Sequence, residues 1–323
     1  MQIVYILENR KTKGVIFGII SVFIIGFQPI VANSRPVILD AYLFAAMTVF
    51  VEALIFFPLM KLERKKIKLD YKRQLIDSED YQSLLFGYKK NRTLLICVGI
   101  IFGVCQILFF VGYEYSGAIN GSLAQKSTIF FSLLFGYIIL HEKITAKQIL
   151  FSCLLLIGLI LAVTEGSFNL LELNLGVIIL LVLSCLWMLG HTFTKPIFNR
   201  NEAIPSQIVV IRSTIGFLIL ISTYFLFFPL ENVHLLLDPI NLLWGFAMGA
   251  VYGTSLLFWY KTLRELDVNK ASILVSPTPI ATALYATFLL GEIFTIYHLF
   301  GTIIVIFSII MIFSHFSGKK AKK

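Results

Sequence analysis

The stretch GAINGSLAQKSTIFFSLLFGYIILHEKIT, residues 117–145, decides the fold because it is written twice. Adding 150 to each number gives DVNKASILVSPTPIATALYATFLLGEIFT, residues 267–295, in which Ser122, Thr128, Leu134, Leu140, Glu142 and Thr145 recur as Ser272, Thr278, Leu284, Leu290, Glu292 and Thr295. Just upstream, Gly99 and Gly103 recur at the same offset as Gly249 and Gly253. A constant offset across a helix, a loop and a helix start marks an internal duplication. Lys126 has no twin, since Ser276 stands at its matched position. The shared residues build a scaffold, and the odd cation is a candidate for what the scaffold serves.

Working outward, the whole chain is apolar. Its 323 residues are 58% hydrophobic and 14% charged, with a mean hydropathy of +0.87, whereas a soluble domain sits nearer half apolar with about 25% charge. The class is an all-α integral membrane protein, because backbone polar groups in lipid are satisfied within helices and these apolar runs are too long for barrel strands. The formal charge of +9 suggests nucleic acid only in a soluble protein, so it is read loop by loop and no nucleic-acid partner is expected. Cys97, Cys105, Cys153 and Cys185 all fall in apolar runs with no paired spacing, and read as small core hydrophobes rather than metal or disulfide positions. Neither a metal nor a cofactor is expected. Arg10, Lys11 and Lys13 before an apolar run have the outline of a signal peptide, but the run is too long and no small-residue cleavage site follows it, so it is expected to remain as the first span.

Ten spans are expected, at about 14–32, 38–59, 93–113, 117–140 and 146–164, then 176–198, 205–228, 240–260, 269–291 and 296–316. Alternate connections differ sharply in charge. One side holds 24 of the 27 Lys and Arg residues and the other only Arg35, with Lys126 and Arg212 inside spans. Such an excess marks the cytoplasmic side, so both termini are expected in the cytoplasm of a multi-pass protein of the cell membrane. Five spans per copy is an odd number, so the copies enter the membrane from opposite sides. The organisation is two inverted five-helix repeats, 14–165 with a basic cytoplasmic loop 60–92, and 174–316, followed by a basic tail 317–323. Inverted repeats are typical of secondary transporters, with the substrate site near the midplane where the halves meet. No phosphate-binding G-x-x-x-x-G-K-[ST] motif that a pump would need is present. Loop 60–92 mixes Ile67, Leu75, Ile76 and Leu84 to Phe86 among its charges. It reads either as an amphipathic helix on an anionic leaflet or as a solvated loop with helical extensions of its flanking spans.

The stripes Gly99/Gly103 and Gly245/Gly249/Gly253 stack small residues on a helix face and indicate close helix packing. Glu142 and Glu292 stand at matched helix C-termini, where the dipole disfavours an anion, so each calls for a local partner. Thr145 and Thr295 sit where an N-cap hydroxyl starts the next helix, and Thr145 with Gln148 has capping-box spacing. These four residues read as a structural turn, with substrate or proton contact as the alternative. Pro277 and Pro279 remove two donors inside a span and free nearby carbonyls, as a gating hinge, a ligand contact or a plain packing kink.

On these features the chain resembles the drug/metabolite transporter superfamily in its EamA-like branch. The second copy, Ser272 to Gly301 with Pro277, Pro279 and the turn Gly291-Glu292-Ile293-Phe294-Thr295, carries the resemblance. The first copy departs from it, with His141 in place of Gly and Lys126-Ser127 where Pro is usual. The resemblance implies ten helices in two inverted repeats and a transporter, and leaves open amino acids, metabolites, nucleotide sugars and phosphorylated sugars as solutes.

Ionisable residues inside spans carry the functional argument. Lys126 lies roughly 14 Å into its span, where burying a cation costs about 2.5 to 3.5 kcal/mol, so it is expected to face a wet cavity or a partner. Arg212, His191 and Glu52 lie about 10 Å from the cytoplasmic end. One reading groups Lys126 with Arg212 or His191 as a cationic pocket for a carboxylate or phosphate, with Gln125, Tyr252 and Trp187 as further substrate contacts. A second makes Glu52 and His191 a proton relay. The third has Arg212 snorkelling to the surface or pairing with Glu52, and Lys126 pairing with a carbonyl or carboxylate. The expected partners are a small-molecule substrate and membrane lipids, with a homodimer left open. An intramembrane enzyme is disfavoured by the lack of a nucleophile-base motif, a His-Glu-x-x-His motif or a catalytic carboxylate pair. A non-transporting scaffold or sensor is the remaining rival.

Overall fold

The computed structural model describes residues 2–166 and 175–318. The linker 167–174 and residues 319–323 of the expected tail lie outside the described residues. Among the described residues there are helices and no strand, as a chain that must satisfy its backbone within apolar surroundings requires. The helices are α1 (Gln2–Asn33), α2 (Ala41–Lys72), α3 (Ser78–Phe86), α4 (Arg92–Ser116), α5 (Ala118–Ala124), α6 (Thr128–Ile138), α7 (Ala146–Val163), α8 (Leu175–Asn199), α9 (Pro205–Phe227), α10 (Pro239–Glu265), α11 (Val268–Leu274), α12 (Thr278–Leu289) and α13 (Ile296–Gly318). Among the described residues, seven stretches are long and apolar enough to cross a membrane: Thr12–Asn33, Ala41–Lys72, Ser78–Ser116, Leu175–Asn199, Pro205–Phe227, Pro239–Glu265 and Val268–Leu289. Of the three other expected spans, 117–140 is broken into α5, a 3₁₀ turn and α6, while Ala146–Ala162 and Ile296–Ser308 are shorter apolar helices. Large apolar side chains such as Phe23, Leu226 and Phe288 face outward from the bundle, the arrangement of a protein whose outer solvent is hydrocarbon.

The glycine stripes mark where helices of the two copies meet. Gly99 and Gly103 on α4 face α9, where an added Cβ would lie 2.5 Å from Ile215 or 3.3 Å from the Gly216 backbone. At the matched positions, Gly249 and Gly253 on α10 face α2, against Val51 and Thr48 and against Phe56 and Glu52. Contact at this range needs residues without a side chain on both stripes.

The two acidic turns pair across the copies. Helix α6 ends with the Glu142 N–H donating to Gly136 O at 2.9 Å, and α12 with the Glu292 N–H donating to Ala286 O at 3.2 Å, each bond reaching back six residues over the helix end. Both turns pass through the left-handed region, at Gly291 (φ 70°) and at His141 (φ 53°). Glycine enters that region freely, whereas a side chain there is strained by roughly 1 to 2 kcal/mol. The carboxylates then reach the other copy. Glu142 accepts from the N–H groups of Val268 (2.9 Å) and Asn269 (3.3 Å) at the start of α11. Glu292 accepts from those of Ala118 and Ile119 (both 2.9 Å) at the start of α5. A local partner was the expectation for each glutamate. The observed partner is distant in sequence, because the N–H groups at a helix start lack acceptors and attract an anion. Burial pushes the Glu142 carboxyl above the ordinary carboxylate range, against the pull of the two N–H groups.

The threonines close the next helices as their spacing implies. Thr145 and Gln148 form a capping box on α7. On α13 His298 takes the glutamine's place, its Nδ1 accepting from the Thr295 N–H at 3.0 Å.

Two other expectations change, and one open between two readings takes a form. The basic run 61–72 belongs to α2, which continues unbroken to Lys72. The rest of loop 60–92 folds onto residues 200–207, with Arg64 and Gln207 donating to Leu85 O and Asn91 and Arg200 to Glu202. This is the helical-extension reading of the loop. Of the cysteines only Cys105 is buried, while Cys97 and Cys153 are exposed on the apolar outer surface, which accommodates a thiol as readily as the interior does. Lys195, assigned to a cytoplasmic connection, is buried in α8, and its Nζ donates to the carbonyls of Leu263 (2.5 Å) and Leu266 (2.7 Å) at the end of α10. Unpaired carbonyls at a helix C-terminus favour a cation.

Glu292→Ala leaves two N–H groups without their acceptor and is expected to lower stability by about 1 to 3 kcal/mol, with Glu292→Gln milder because it retains an acceptor oxygen. His141→Gly is expected to raise stability by up to about 1 kcal/mol. Unfolding midpoints in detergent measure both; an unchanged midpoint for Glu292→Ala would remove the cross-copy cap from the account of stability.

Candidate functional site

The site begins where the duplicated helices break. Pro277 and Pro279 have no N–H, so the carbonyls of Ile273 and Val275 lose their ordinary helical donors. Short hydroxyl side chains replace them. Ser276 donates to Ile273 O through its N–H (3.1 Å) and Oγ (2.5 Å), and Thr278 to Val275 O through its N–H (3.2 Å) and Oγ1 (2.5 Å). Lys126 Nζ adds a contact to Val275 O at 3.3 Å from the other copy. The first copy breaks at the same place without proline, at the 3₁₀ turn Gln125–Ser127. Lys126 therefore sits on one break and points at the other.

Beside the breaks lies a cavity of about 80 Å³ that the six expected substrate contacts all line: Gln125, Lys126, Trp187, His191, Arg212 and Tyr252. They come from the 3₁₀ turn and from α8, α9 and α10. Arg212 does not snorkel, since only 2% of it is exposed. Its guanidinium lies 3.9 Å from the centre of the Phe102 ring, a cation–π contact, and 5.9 Å from that of Tyr252. His191 is enclosed by Phe102, Trp259 and Tyr260, with ring centres 4.9, 5.1 and 5.4 Å away.

The polar atoms here are short of partners. Among the described residues, Arg212 Nη1 and Nη2, His191 Nδ1, Gln125 Nε2 and the indole nitrogens of Trp187 and Trp259 are buried with no acceptor in hydrogen-bond geometry. Buried polar groups are ordinarily paired, and a cluster of exceptions marks a place where a ligand or solvent completes the pairing.

Glu52 is fully buried but does not line the cavity. It packs against Gly253 and feels the Arg212 charge without forming an ion pair with it. Neither carboxylate oxygen meets a donor in hydrogen-bond geometry among the described residues, and no bond joins Glu52 to His191. The structure thus brings Lys126, Arg212 and His191 to one cavity and leaves Glu52 behind Arg212. The turn residues Glu142, Thr145, Glu292 and Thr295 lie away from the cavity lining, as do Pro277 and Pro279, although Val275, whose carbonyl Pro279 frees, is part of it. Among the described residues, no group of three or more His, Cys, Asp or Glu side chains could hold a metal ion.

Sequence reasoning passed over Phe102, which touches both Arg212 and His191, and Gln28, whose Nε2 donates to Ser255 Oγ at 2.5 Å across α1 and α10. Nothing sets Phe102 apart among 30 phenylalanines. Gln28 carries a signal, as an amide in mid-span beside Pro29.

Comparisons with known proteins agree with this architecture. The EamA-like transporter family matches twice, over residues 12–164 and 174–314. The chain is 27% identical over 234 residues to the uncharacterized transporter YyaM of Bacillus subtilis, covering 69% of this chain and 73% of that protein. It is 26% identical over 246 residues to the uncharacterized inner membrane transporter YicL of Salmonella typhimurium, covering 71% and 76%. An uncharacterized transporter of Methanothermobacter thermautotrophicus is 25% identical over 214 residues, 64% of this chain and 61% of that one. A solved crystal structure shares the fold with a TM-score of 0.65 at 12% identity, over 93% of this chain and 97% of the other. All the named relatives are called transporters and none an enzyme. With both halves matched and a membrane-spanning helical architecture, the chain belongs to the EamA-like transporter family.

Proposed function

We propose that this protein is a secondary active transporter that moves a small polar or anionic metabolite across the cell membrane by alternating access. In this reading the ten apolar segments form two inverted five-helix repeats with both termini in the cytoplasm. The cavity beside the two helix breaks is the solute site. Lys126 and Arg212 bind the anionic group, while His191, Gln125, Tyr252 and Trp187 complete the contact. The observation that carries it is the convergence of two buried cations from different copies on one cavity, with donors left without acceptors around it. A bundle selected only for packing has no use for such groups, because an unpartnered polar atom in an apolar interior costs roughly 1 to 3 kcal/mol. The cavity is well below the roughly 300 Å³ at which ligand pockets begin, so a solute enters as the helices around it move apart.

The direct test is transport in proteoliposomes. Lys126→Ala is expected to abolish flux while leaving the helical content unchanged, and Lys126→Arg to retain more of it if charge alone matters. Normal flux through Lys126→Ala would sink the cationic site. A proton relay through Glu52 and His191, the second reading of these residues, predicts that an imposed pH gradient drives or opposes the flux, and a flux indifferent to the gradient removes that reading. The orientation predicts that single cysteines placed in loop 60–92 react with an impermeant thiol reagent only from the cytoplasmic side, with one beside Arg35 reacting only from the other.

A further inference from the structure

The walls of the cavity narrow the class of solute beyond a small polar or anionic metabolite. Among the described residues, Lys126 donates to the Val275 carbonyl at a long 3.3 Å, and the terminal nitrogens of Arg212, close to the Tyr252 and Tyr260 hydroxyls, meet no acceptor in hydrogen-bond geometry. The indole N–H groups of Trp187 and Trp259 point the same way chemically, since an indole nitrogen can donate but cannot accept. Among the described residues, no aspartate or glutamate lines the space. A bound ammonium group would therefore be buried beside two cations without a carboxylate to compensate it, a burial that proteins avoid.

The charge count limits the anion as well. Among the described residues Glu52 is the one carboxylate that acts on Arg212 from inside the bundle, lying behind it on α2. With Glu52 ionised behind Arg212 and Lys126 protonated, one positive charge is left for the solute to meet. A single negative charge neutralises the site, whereas a phosphate monoester carries close to two at pH 7. Most of the remaining wall is Phe102, Trp187, Tyr252 and Trp259 with Met188 and Leu256, and the polar side chains among them, Gln28, Thr128, Ser255 and Ser272, are few and short or already engaged within the bundle. The flat and aliphatic part of the wall favours an apolar body over a polyhydroxylated one.

We propose that the solute is a compact monocarboxylate with a flat apolar body, its carboxylate held between Lys126 and Arg212 and its body against the tryptophans. This rests on the transporter reading and deepens it. Four probes that share one ring separate the terms: phenylacetate, its neutral isostere phenylacetamide, the zwitterion L-phenylalanine and the dianion phenyl phosphate. Each is offered to the full chain in two measurements, thermal shift in detergent, where binding to the native state raises the unfolding midpoint, and counterflow in proteoliposomes.

Phenylacetate is expected to raise the midpoint and to exchange, with each of the other three weaker by about tenfold or more, the range in which a charge-assisted contact is lost. Lys126→Ala is expected to remove the preference for phenylacetate over phenylacetamide, and Trp259→Leu to weaken both equally. If Lys126→Ala does not fold, the order of the four probes on the unaltered chain still decides the matter. Phenylalanine or phenyl phosphate bound as well as phenylacetate overturns the monoanion class and leaves the transporter standing. Phenylacetamide bound equally well overturns the role of charge. A chain that exchanges solutes from a cell extract but none of the four overturns the class alone, and one that exchanges nothing overturns the transporter reading with it.

Discussion

The carboxylates of Glu142 and Glu292 hold this structure together by ending one helix and starting another in the opposite copy. Helices α5 and α11 have seven residues each, so most of their N–H groups belong to the first turn and have no acceptor within the helix. Neither helix can supply the missing acceptors to itself. Glu142 covers the start of α11 and Glu292 the start of α5, so the two broken helices are complete only when the copies are assembled. The glycine stripes serve the same end, since α4 against α9 and α10 against α2 bring the copies close enough for the carboxylates to reach.

Given that frame, the breaks become usable. A broken helix in an apolar setting exposes carbonyls, and each must find a donor. In the second copy Ser276 and Thr278 supply it for the carbonyls that Pro277 and Pro279 free. In the first copy the equivalent turn carries Lys126, which spends part of its hydrogen-bonding capacity on Val275 O and leaves the rest facing the cavity. The difference between serine and lysine at one matched position turns a symmetric scaffold into a site with a sign. Arg212 and the indole donors then make that sign consistent around the wall.

How much of this was legible depends on the range of each contact. The 150-residue offset, the glycine stripes and Lys126 are visible because they are patterns along the chain. Grouping Lys126, Arg212 and His191 needed only the cost of placing charge in an apolar helix, which applies wherever the helix packs. The partners of the glutamates lie 126 and 174 residues away, and no local pattern records them, although the unfavourable position at a helix end signalled that partners existed. Lys195 misled for a related reason. A lysine near a span end reads as a surface charge, and its burial follows from α10 carbonyls 68 and 71 residues on. Phe102 could not be found at all, since its importance comes from standing beside Arg212 and not from its type.

The matched ends of the bundle are similar but unequal, which matters for any alternation between them. Lys195 donates to Leu263 O, and at the equivalent carbonyl of the first copy, Tyr113 O, the donor is Asn33 at 3.2 Å in the amide orientation that satisfies its neighbours. A cation on a helix C-terminus is stabilised by the dipole, and a neutral amide is not. A duplicated scaffold supplies two arrangements of comparable energy, and a solute shifts the balance only by its differential affinity for them. The lysine weights the end that holds Glu142, Lys195 and the start of α11. In the proposed alternation that end lies on the cytoplasmic side, so opening there breaks a charged contact as well as a carboxylate cap, and the opposite end opens against the weaker set.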